Sequence, residues 1–181
     1  MEFIQTEIPD VVLIRPKVFG DPRGFFFESW EAKKFSQAGL AADFVQDNCS
    51  SSVENTLRGL HYQIQQPQGK LVRVTSGEVF DVAVDIRRGS PSFGKWVGAI
   101  LSAENKQQMW VPPGFAHGFY VLSAIAEFFY KCTDYYAPRH ERTIRWDDPR
   151  LAIDWPLNGR SPLLSPKDQA GLSLAAAEVY P

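Results

Sequence analysis

Short strand-like runs recur along the chain at a spacing of roughly 8–12 residues, with turn-forming glycine, proline, serine and asparagine between them. In Glu78–Ile86, apolar residues alternate with Asp81, Ala83 and Asp85, a pattern typical of a half-buried strand. Regularly spaced short strands predict a sandwich or barrel, so we expect a mainly β fold with short helices. The predicted strands here are Phe44–Ser50, Thr56–Gln63, Lys70–Thr75, Glu78–Ile86, Trp96–Ser102, Gln108–Val111, Gly118–Leu122 and Ala126–Thr133.

The N-terminal region has a different character. Pro16 interrupts the apolar run Val11–Phe19, and because proline lacks an amide donor we predict an edge strand or arm within residues 1–20. A strand at Phe25–Trp30 and two helical turns at Glu31–Gln37 are predicted to follow.

The C-terminal region predicts a helical cover. Ser165 suits a helix cap, and Asp168 falls at the third helical position. We expect helical structure within residues 165–181, including Leu174–Glu178. No linker or internal repeat divides the sequence, so residues 1–181 are interpreted as one domain.

Charge and apolar patterning exclude several classes of protein. The net charge is −2 and no basic stripe occurs, so nucleic-acid binding is not expected. No apolar run approaches the ~18 residues of a membrane span, and the opening MEFIQTEIPD lacks the apolar centre of a signal peptide. The two cysteines lack metal-ligand spacing and are too few for a disulfide framework. These features predict a cytoplasmic protein.

Three histidines are the first candidates for chemistry, because histidine is the usual general base near neutral pH. His61 lies inside a predicted strand, where a buried structural role is the plain alternative, and apolar surroundings would lower its pKa. His117 lies in a loop rich in proline and glycine that suits a ligand contact. His140 lies among charged residues and is predicted to be on the surface.

Metal binding remains an open alternative. Metal-binding β-barrels often place two histidines one residue apart on a strand, but here Gln63 occupies the second position after His61. A site built from His61, His117 and a carboxylate is still conceivable. The GxxxxGK[ST] and GxGxxG motifs do not occur, so a kinase or nicotinamide enzyme is unsupported.

Several segments, in this order and spacing, resemble the dTDP-4-dehydrorhamnose 3,5-epimerase family, whose members have a cupin-like jelly-roll fold. The resemblance extends from Phe3 to about Leu174. The segments that carry it are Arg58–Gln63 (RGLHYQ), Gln68–Arg73 (QGKLVR), Gly77–Asp85 (GEVFDVAVD), Pro113–Phe119 (PGFAHGF) and Leu164–Asp168 (LSPKD).

The resemblance implies an enzyme without metal or cofactor. Its implied substrate is a dTDP-4-keto-6-deoxyhexose, and its implied assembly is a homodimer in which N-terminal strands pair across subunits. By residue-to-residue comparison, His61 matches the proton acceptor and Asp168 its acidic partner. Tyr130 matches the proton donor, and Lys70 matches the cation beside the C4 oxygen.

The resemblance also implies a set of residues that bind the nucleotide-sugar. Tyr136 matches an aromatic residue that stacks on the thymine. Strand alternation places Arg58 and His61 on opposite faces unless Gly59 marks a bulge, and the sequence leaves this open. The other matched positions are Arg23, Glu28, Gln46, Asp47, Asn48, Arg58, Lys70, His117, Glu141 and Lys167.

The implied reaction starts from hydrogens on C3 and C5 that flank a ketone at C4. Loss of either proton gives an enolate with its charge on the C4 oxygen, so the reaction needs a base, an acid and a cation. We therefore expect conversion of dTDP-4-dehydro-6-deoxy-D-glucose to dTDP-4-dehydro-L-rhamnose, for dTDP-L-rhamnose biosynthesis. The alternatives are an epimerase of one carbon only, a metal-dependent cupin, and a sugar-nucleotide binding module without catalysis.

Overall fold

The computed structural model describes residues 1–40 and 42–181, most of which belong to antiparallel strands or their connections. The helices are short: α1 spans Ala32–Gln37, α2 spans Pro166–Gln169, and a 3₁₀ helix spans Pro138–His140. The strands are β1 (Glu2–Gln5), β2 (Val12–Arg15), β3 (Val18–Asp21), β4 (Gly24–Phe27), β5 (Gln46–Val53), β6 (Leu57–Gln63), β7 (Lys70–Ser76), β8 (Glu78–Asp85), β9 (Trp96–Ser102), β10 (Gln108–Val111), β11 (Phe115–Val121), β12 (Ile125–Cys132) and β13 (Glu141–Thr143).

Two sheets pack face to face. The larger, six-stranded sheet has the order β1-β2-β10-β7-β12-β5, and the smaller, five-stranded sheet has the order β13-β6-β11-β8-β9. Neighbouring strands in both sheets are antiparallel. Strands β3 and β4 form a separate hairpin. The predicted mainly β, cupin-like jelly-roll fold with short helices is confirmed.

Apolar side chains fill three layers. Between the sheets, Val72 and Phe128 of the larger sheet meet Phe119 of the smaller one. The outer face of the smaller sheet is covered by the C-terminal region, including Trp155, and α1 places Phe35 against the outer face of the larger sheet. Strands that are covered on both faces carry apolar residues on both faces. The alternation of apolar and polar residues is therefore weak in the centre of the fold.

Two details of the predicted strands are wrong. An edge strand does lie within residues 1–20, but it is β1 at the end of the larger sheet. The run around Pro16 instead forms the inner strand β2, which pairs with β1 and β10 and ends before Pro16. Strand β8 is not half-buried either. Both Asp81 and Ala83 are fully buried, since the face that was predicted to be polar points between the two sheets.

The C-terminal helical segment is present as α2, but it is only one turn long. Ser165 and Asp168 form the reciprocal capping box that the sequence indicated. The predicted continuation through Leu174–Glu178 is wrong, because this stretch forms turns instead. Its backbone is bound to the body of the protein, as where the amide of Leu174 donates to Asp148 Oδ2 at 2.8 Å.

In the part of the chain that the structure describes, no helix is both long and apolar enough to cross a membrane.

Candidate active site

A pocket of about 330 Å³ opens between the two sheets. The larger sheet contributes side chains from β5, β7 and β12, and the smaller sheet contributes side chains from β6 and β11. Ten residues that the sequence singled out line it, namely Gln46, Asn48, Arg58, His61, Lys70, His117, Tyr130, Tyr136, Glu141 and Lys167.

A bulge in β6 brings Arg58 and His61 into the same pocket. His117 of β11 pairs with His61, whereas Phe119 pairs with Arg58. Positions two residues apart on β11 therefore pair with positions three residues apart on β6, which has one extra residue. The bulge includes Gly59, at φ 137°, where a Cβ atom would lie 2.5 Å from the Cα of Gly118. The alternation rule fails here because one extra residue reverses the faces that follow it.

His61 and Asp168 form a hydrogen-bonded pair. Nε2 of His61 lies 2.7 Å from Oδ1 of Asp168, and the same oxygen accepts the amide of Gly59 at 3.1 Å. The other carboxylate oxygen accepts the hydroxyl of Ser165 at 2.5 Å. The capping carboxylate of α2 thus also holds the imidazole, whose side chain remains 21% exposed toward the pocket.

The environment sets the protonation of this pair. Burial lowers the pKa of His61, and the hydrogen bond with Asp168 opposes that effect only in part. Burial raises the pKa of Asp168, but hydrogen bonds from His61, Ser165 and Gly59 outweigh it and hold that pKa well below its usual range. Because an ionised carboxylate only accepts, a neutral His61 carries its proton on Nε2 and its lone pair on Nδ1.

The larger sheet brings an acid and a cation to the same pocket. Burial raises the pKa of Tyr130 to about 12, so its phenol is a protonated donor at neutral pH. Lys70 lies with its Nζ atom 6.0 Å from the centre of the Tyr130 ring. Burial lowers the pKa of Lys70, with nearby negative charge opposing the shift. The imidazole of His61, the phenol of Tyr130 and the amine of Lys70 therefore share one cavity.

Asp81 is a site residue that the sequence reasoning missed. Nε2 of His117 lies 3.0 Å from both carboxylate oxygens of Asp81, and both residues are buried. An aspartate in the middle of an apolar strand was the available signal, because such residues are rarely buried without a partner. His117 is therefore held by a strand-to-strand contact rather than by a loop.

Tyr136 lies at the exposed end of the pocket, within a network of polar contacts. Its hydroxyl donates to Glu141 at 3.0 Å, and its amide donates to the side chain of Gln46 at 2.9 Å. Lys167 donates to the other oxygen of Glu141 at 2.7 Å. Burial raises the pKa of Glu141, but the hydrogen bond from Lys167 contributes to a net lowering. An aromatic ring beside a cation suits a nucleotide.

Gln63 is committed to holding a loop. Its side-chain nitrogen donates to the carbonyls of Gln66 at 2.7 Å and Tyr135 at 3.2 Å, and its oxygen accepts the amide of Ala137 at 2.8 Å. Among residues 1–40 and 42–181, no group of three or more histidine, cysteine, aspartate or glutamate side chains is arranged to hold a metal ion.

Three predicted binding residues lie outside this pocket. The side chain of Arg23 is 90% exposed at the tip of the β3–β4 hairpin and pairs with Asp21. Glu28 pairs with Lys34 at 2.6 Å. Asp47 projects from the other face of β5 and pairs with Lys131. His140, predicted to be on the surface, is partly exposed in the 3₁₀ helix.

Comparison with known proteins shows which family this chain resembles. The family model described as dTDP-4-dehydrorhamnose 3,5-epimerase matches residues 5–176. A curated dTDP-4-dehydrorhamnose 3,5-epimerase of Pseudomonas aeruginosa is 63% identical over 182 residues, which is 100% of this chain and 100% of that protein.

Solved structures agree with the sequence comparison. The crystal structure of dTDP-6-deoxy-D-glucose-3,5-epimerase from Legionella pneumophila in complex with dTDP-4-keto-L-rhamnose is 60% identical, with a TM-score of 0.95; the match covers 98% of this chain and 94% of that one. A 3′-monoepimerase from Streptomyces bikiniensis in complex with dTDP-quinovose is 33% identical, with a TM-score of 0.89; it covers 95% of this chain and 87% of that one.

Proposed function

Because the chain belongs to the dTDP-4-dehydrorhamnose 3,5-epimerase family, we propose that it epimerises C3 and C5 of dTDP-4-dehydro-6-deoxy-D-glucose, giving dTDP-4-dehydro-L-rhamnose for dTDP-L-rhamnose biosynthesis. The observation that carries this proposal is one cavity that contains a carboxylate-bound histidine, a protonated tyrosine and a half-buried lysine. These are the three chemical elements that epimerisation beside a ketone requires.

His61 is the base. The proton on its Nε2 is held by Asp168, so the Nδ1 lone pair takes the hydrogen from the sugar carbon. The two electrons of that C–H bond form the enolate, and His61 becomes an imidazolium. Ionised Asp168 stabilises this cation without taking its proton, as a carboxylate does beside other catalytic histidines.

Lys70 stabilises the enolate. Its charged amine would face the developing negative charge on the C4 oxygen, and its half-buried position makes the attraction stronger than in bulk water. A fixed donor at such a charge contributes roughly 3–4 kcal/mol. A single base or acid supplies only about 10²–10⁴-fold in rate, so this contribution matters as much as the base.

Tyr130 supplies the new proton. Its phenol is protonated at neutral pH, with a pKa that burial raises to about 12, and it donates to the enolate carbon on the face opposite His61. The phenolate then regains a proton from solvent, and the imidazolium of His61 releases the abstracted proton to solvent. The new C–H bond takes the electron pair back from the enolate, and the ketone at C4 forms again with inverted configuration. Inversion follows because removal and return of the proton use different faces.

The remaining lining residues bind the nucleotide. Arg58 and Lys167 are cations suited to the diphosphate, which arginine binds through paired N–H groups. Tyr136 offers the ring that stacks on thymine. The resemblance also assigns binding roles to Gln46, Asn48, His117 and Glu141, all of which line the pocket.

A homodimer accounts for Arg23 and Glu28, the two assigned residues of the N-terminal region outside the pocket. The β3–β4 hairpin exposes Phe19, Phe25 and Phe26, and exposed apolar patches of this kind are typical of interaction sites. We propose that N-terminal strands pair across subunits and that the hairpin reaches the partner's pocket. A cytoplasmic location is also proposed, and the free thiols of the two cysteines accord with a reducing compartment.

Incubation of the protein with dTDP-4-dehydro-6-deoxy-D-glucose in D₂O, followed by NMR, tests the reaction. Deuterium is expected at both C3 and C5. Deuterium at one carbon alone would favour the reaction of a monoepimerase, and exchange at neither would overturn the proposal while leaving a binding module. Full activity after treatment with a chelator is expected, and its loss would indicate a metal-dependent cupin.

A further inference from the structure

The last residues of the chain lie beyond the segment that defines the family match, which ends at residue 176. Tyr180 nevertheless lines the pocket. Its backbone is fixed on both sides, because its amide donates to Ile86 at 3.2 Å and its carbonyl accepts the amide of Arg88 at 3.0 Å. The phenol therefore projects from an anchored position, not from a loose chain end.

The hydroxyl of Tyr180 donates to the backbone carbonyl of Gln63. Strand β11 pairs with β6 as far as His61, which lies opposite His117. Gln63 is two residues further along β6. Burial raises the pKa of Tyr180 to about 12, so the hydroxyl keeps its proton at neutral pH. The pairing with β11 thus stops short of Gln63, and the hydroxyl of Tyr180 supplies the hydrogen-bond donor for its carbonyl.

Gln63 connects this contact to the nucleotide end of the pocket. Its side-chain amide binds the carbonyl of Tyr135 and the amide of Ala137, the two neighbours of Tyr136. These contacts fix the backbone on both sides of the ring that faces the nucleobase. A shift of Gln63 would therefore move Tyr136, whereas His61 is held separately by Asp168.

We propose that Tyr180 is a positioning residue for nucleotide binding, which acts through Gln63 on the loop that carries Tyr136. The inference rests on the proposed function, because that function assigns the nucleobase to Tyr136. It predicts an effect on affinity for the dTDP part of the substrate and little effect on proton transfer. Tyr180 then contributes to the affinity of the pocket for the nucleotide.

The first test needs no ligand. Hydrogen–deuterium exchange of the full-length protein should show the amides of residues 135–137 exchanging at least about fivefold faster in Tyr180→Phe than in the unmodified protein. Tyr120→Phe is the matched control, because it removes a comparable hydroxyl bond, to Asn55 at 2.7 Å, away from the pocket. Unchanged exchange in Tyr180→Phe would overturn the proposal even if the protein bound no dTDP.

The second test measures dTDP binding by calorimetry and epimerisation kinetics. Tyr180→Phe should raise the Kd for dTDP and the KM by about fivefold to tenfold and leave kcat within about twofold. A fall in kcat at unchanged KM would contradict the proposal. Failure of the unmodified protein to bind dTDP would instead count against the proposed function.

Double variants separate positioning from general loss of stability. Gln63→Met keeps the carbonyl that Tyr180 binds but removes the amide that holds the loop, so it should reproduce the rise in Kd. Combined with Tyr180→Phe, it should add little, because both act on one connection. The same holds for Tyr180→Phe combined with Tyr136→Ala. Additive effects in either pair would show that Tyr180 acts elsewhere.

Discussion

Nε2 of His61 lies 2.7 Å from Oδ1 of Asp168, although 107 residues separate them in the chain. The carboxylate also completes the cap of α2 through Ser165, and it accepts the amide of Gly59 within the β6 bulge. Strand β6 and helix α2 therefore have to pack together before the imidazole is oriented. In the proposed mechanism, catalysis and local folding depend on the same carboxylate.

Replacement of either member of this pair should stop or slow proton removal. We expect His61→Asn to abolish deuterium exchange at both C3 and C5, because the asparagine amide has no lone pair basic enough to take the proton. Asp168→Asn should lower kcat by roughly 10²–10⁴-fold, since the amide no longer favours the reactive tautomer. NMR in D₂O measures both. Retained dTDP affinity is the control, and substantial exchange in His61→Asn would move the base to another residue.

Tyr130→Phe should separate loss of the proton from its return. Since His61 still abstracts the proton, solvent exchange should persist, whereas formation of the inverted product should fall by roughly 10²-fold or more. The ratio of exchanged substrate to product, read from NMR spectra over time, checks this. Equal slowing of both steps would mean that the ring is structural and that another group donates the proton.

The acid side of the pH profile should reflect His61. The base works only when neutral, so kcat/KM falls as the pH drops through its pKa. Burial lowers that pKa from 6.5, so half-maximal activity is expected below pH 6.5. Asp168 raises the pKa of the ring, so the residual activity of Asp168→Asn should extend to lower pH. A midpoint above 6.5, or a shift in the other direction, would contradict this assignment.

The alkaline side should reflect Lys70, because burial lowers the pKa of its amine from 10.5 while that of Tyr130 rises to about 12. The amine is needed in its charged form, so kcat should fall as the pH rises through this pKa. In Lys70→Arg, the guanidinium remains charged, and whatever activity survives should no longer decline below about pH 10.5. An unchanged alkaline decline would assign it to another group.

Gly59→Ala should destabilise the protein. The new Cβ atom would lie 2.5 Å from backbone at Gly118, and the φ of 137° at this position is unfavourable for any residue with a side chain. We expect a loss of at least about 2 kcal/mol in the free energy of unfolding, measured in denaturant. Gly89→Ala is the control, since its nearest neighbour lies 3.9 Å away, and it should change stability by less than about 0.5 kcal/mol.

Mixed dimers test where Arg23 acts. If the hairpin serves the partner's pocket, Arg23→Ala and His61→Asn each give weakly active or inactive homodimers. A heterodimer of the two then contains one pocket with both native side chains. Random mixing after reversible dissociation should restore about a quarter of the unmodified rate. No recovery on mixing would mean that Arg23 acts within its own chain or not at all.

The sequence alone determined the strand framework and about half of the pocket lining. Strands Trp96–Ser102 and Gln108–Val111 have the predicted bounds, because glycine, proline and polar turns limit each run on both sides. The ordered motifs identified the family and, with it, ten of the pocket-lining residues. These features are local, so they can be read without knowing how distant segments pack.

Tertiary structure decided the remainder. Whether Arg58 shares a face with His61 depends on a bulge that forms where β6 meets Gly118, which strand alternation cannot reveal. The burial of Asp81 required a second sheet above it. The predicted helix through Leu174–Glu178 gave way to turns whose backbone is bound by Asp148. The contact from Tyr180 to Gln63 joins residues 117 positions apart. Contacts between segments distant in the chain fix these features, and a local pattern alone does not decide them.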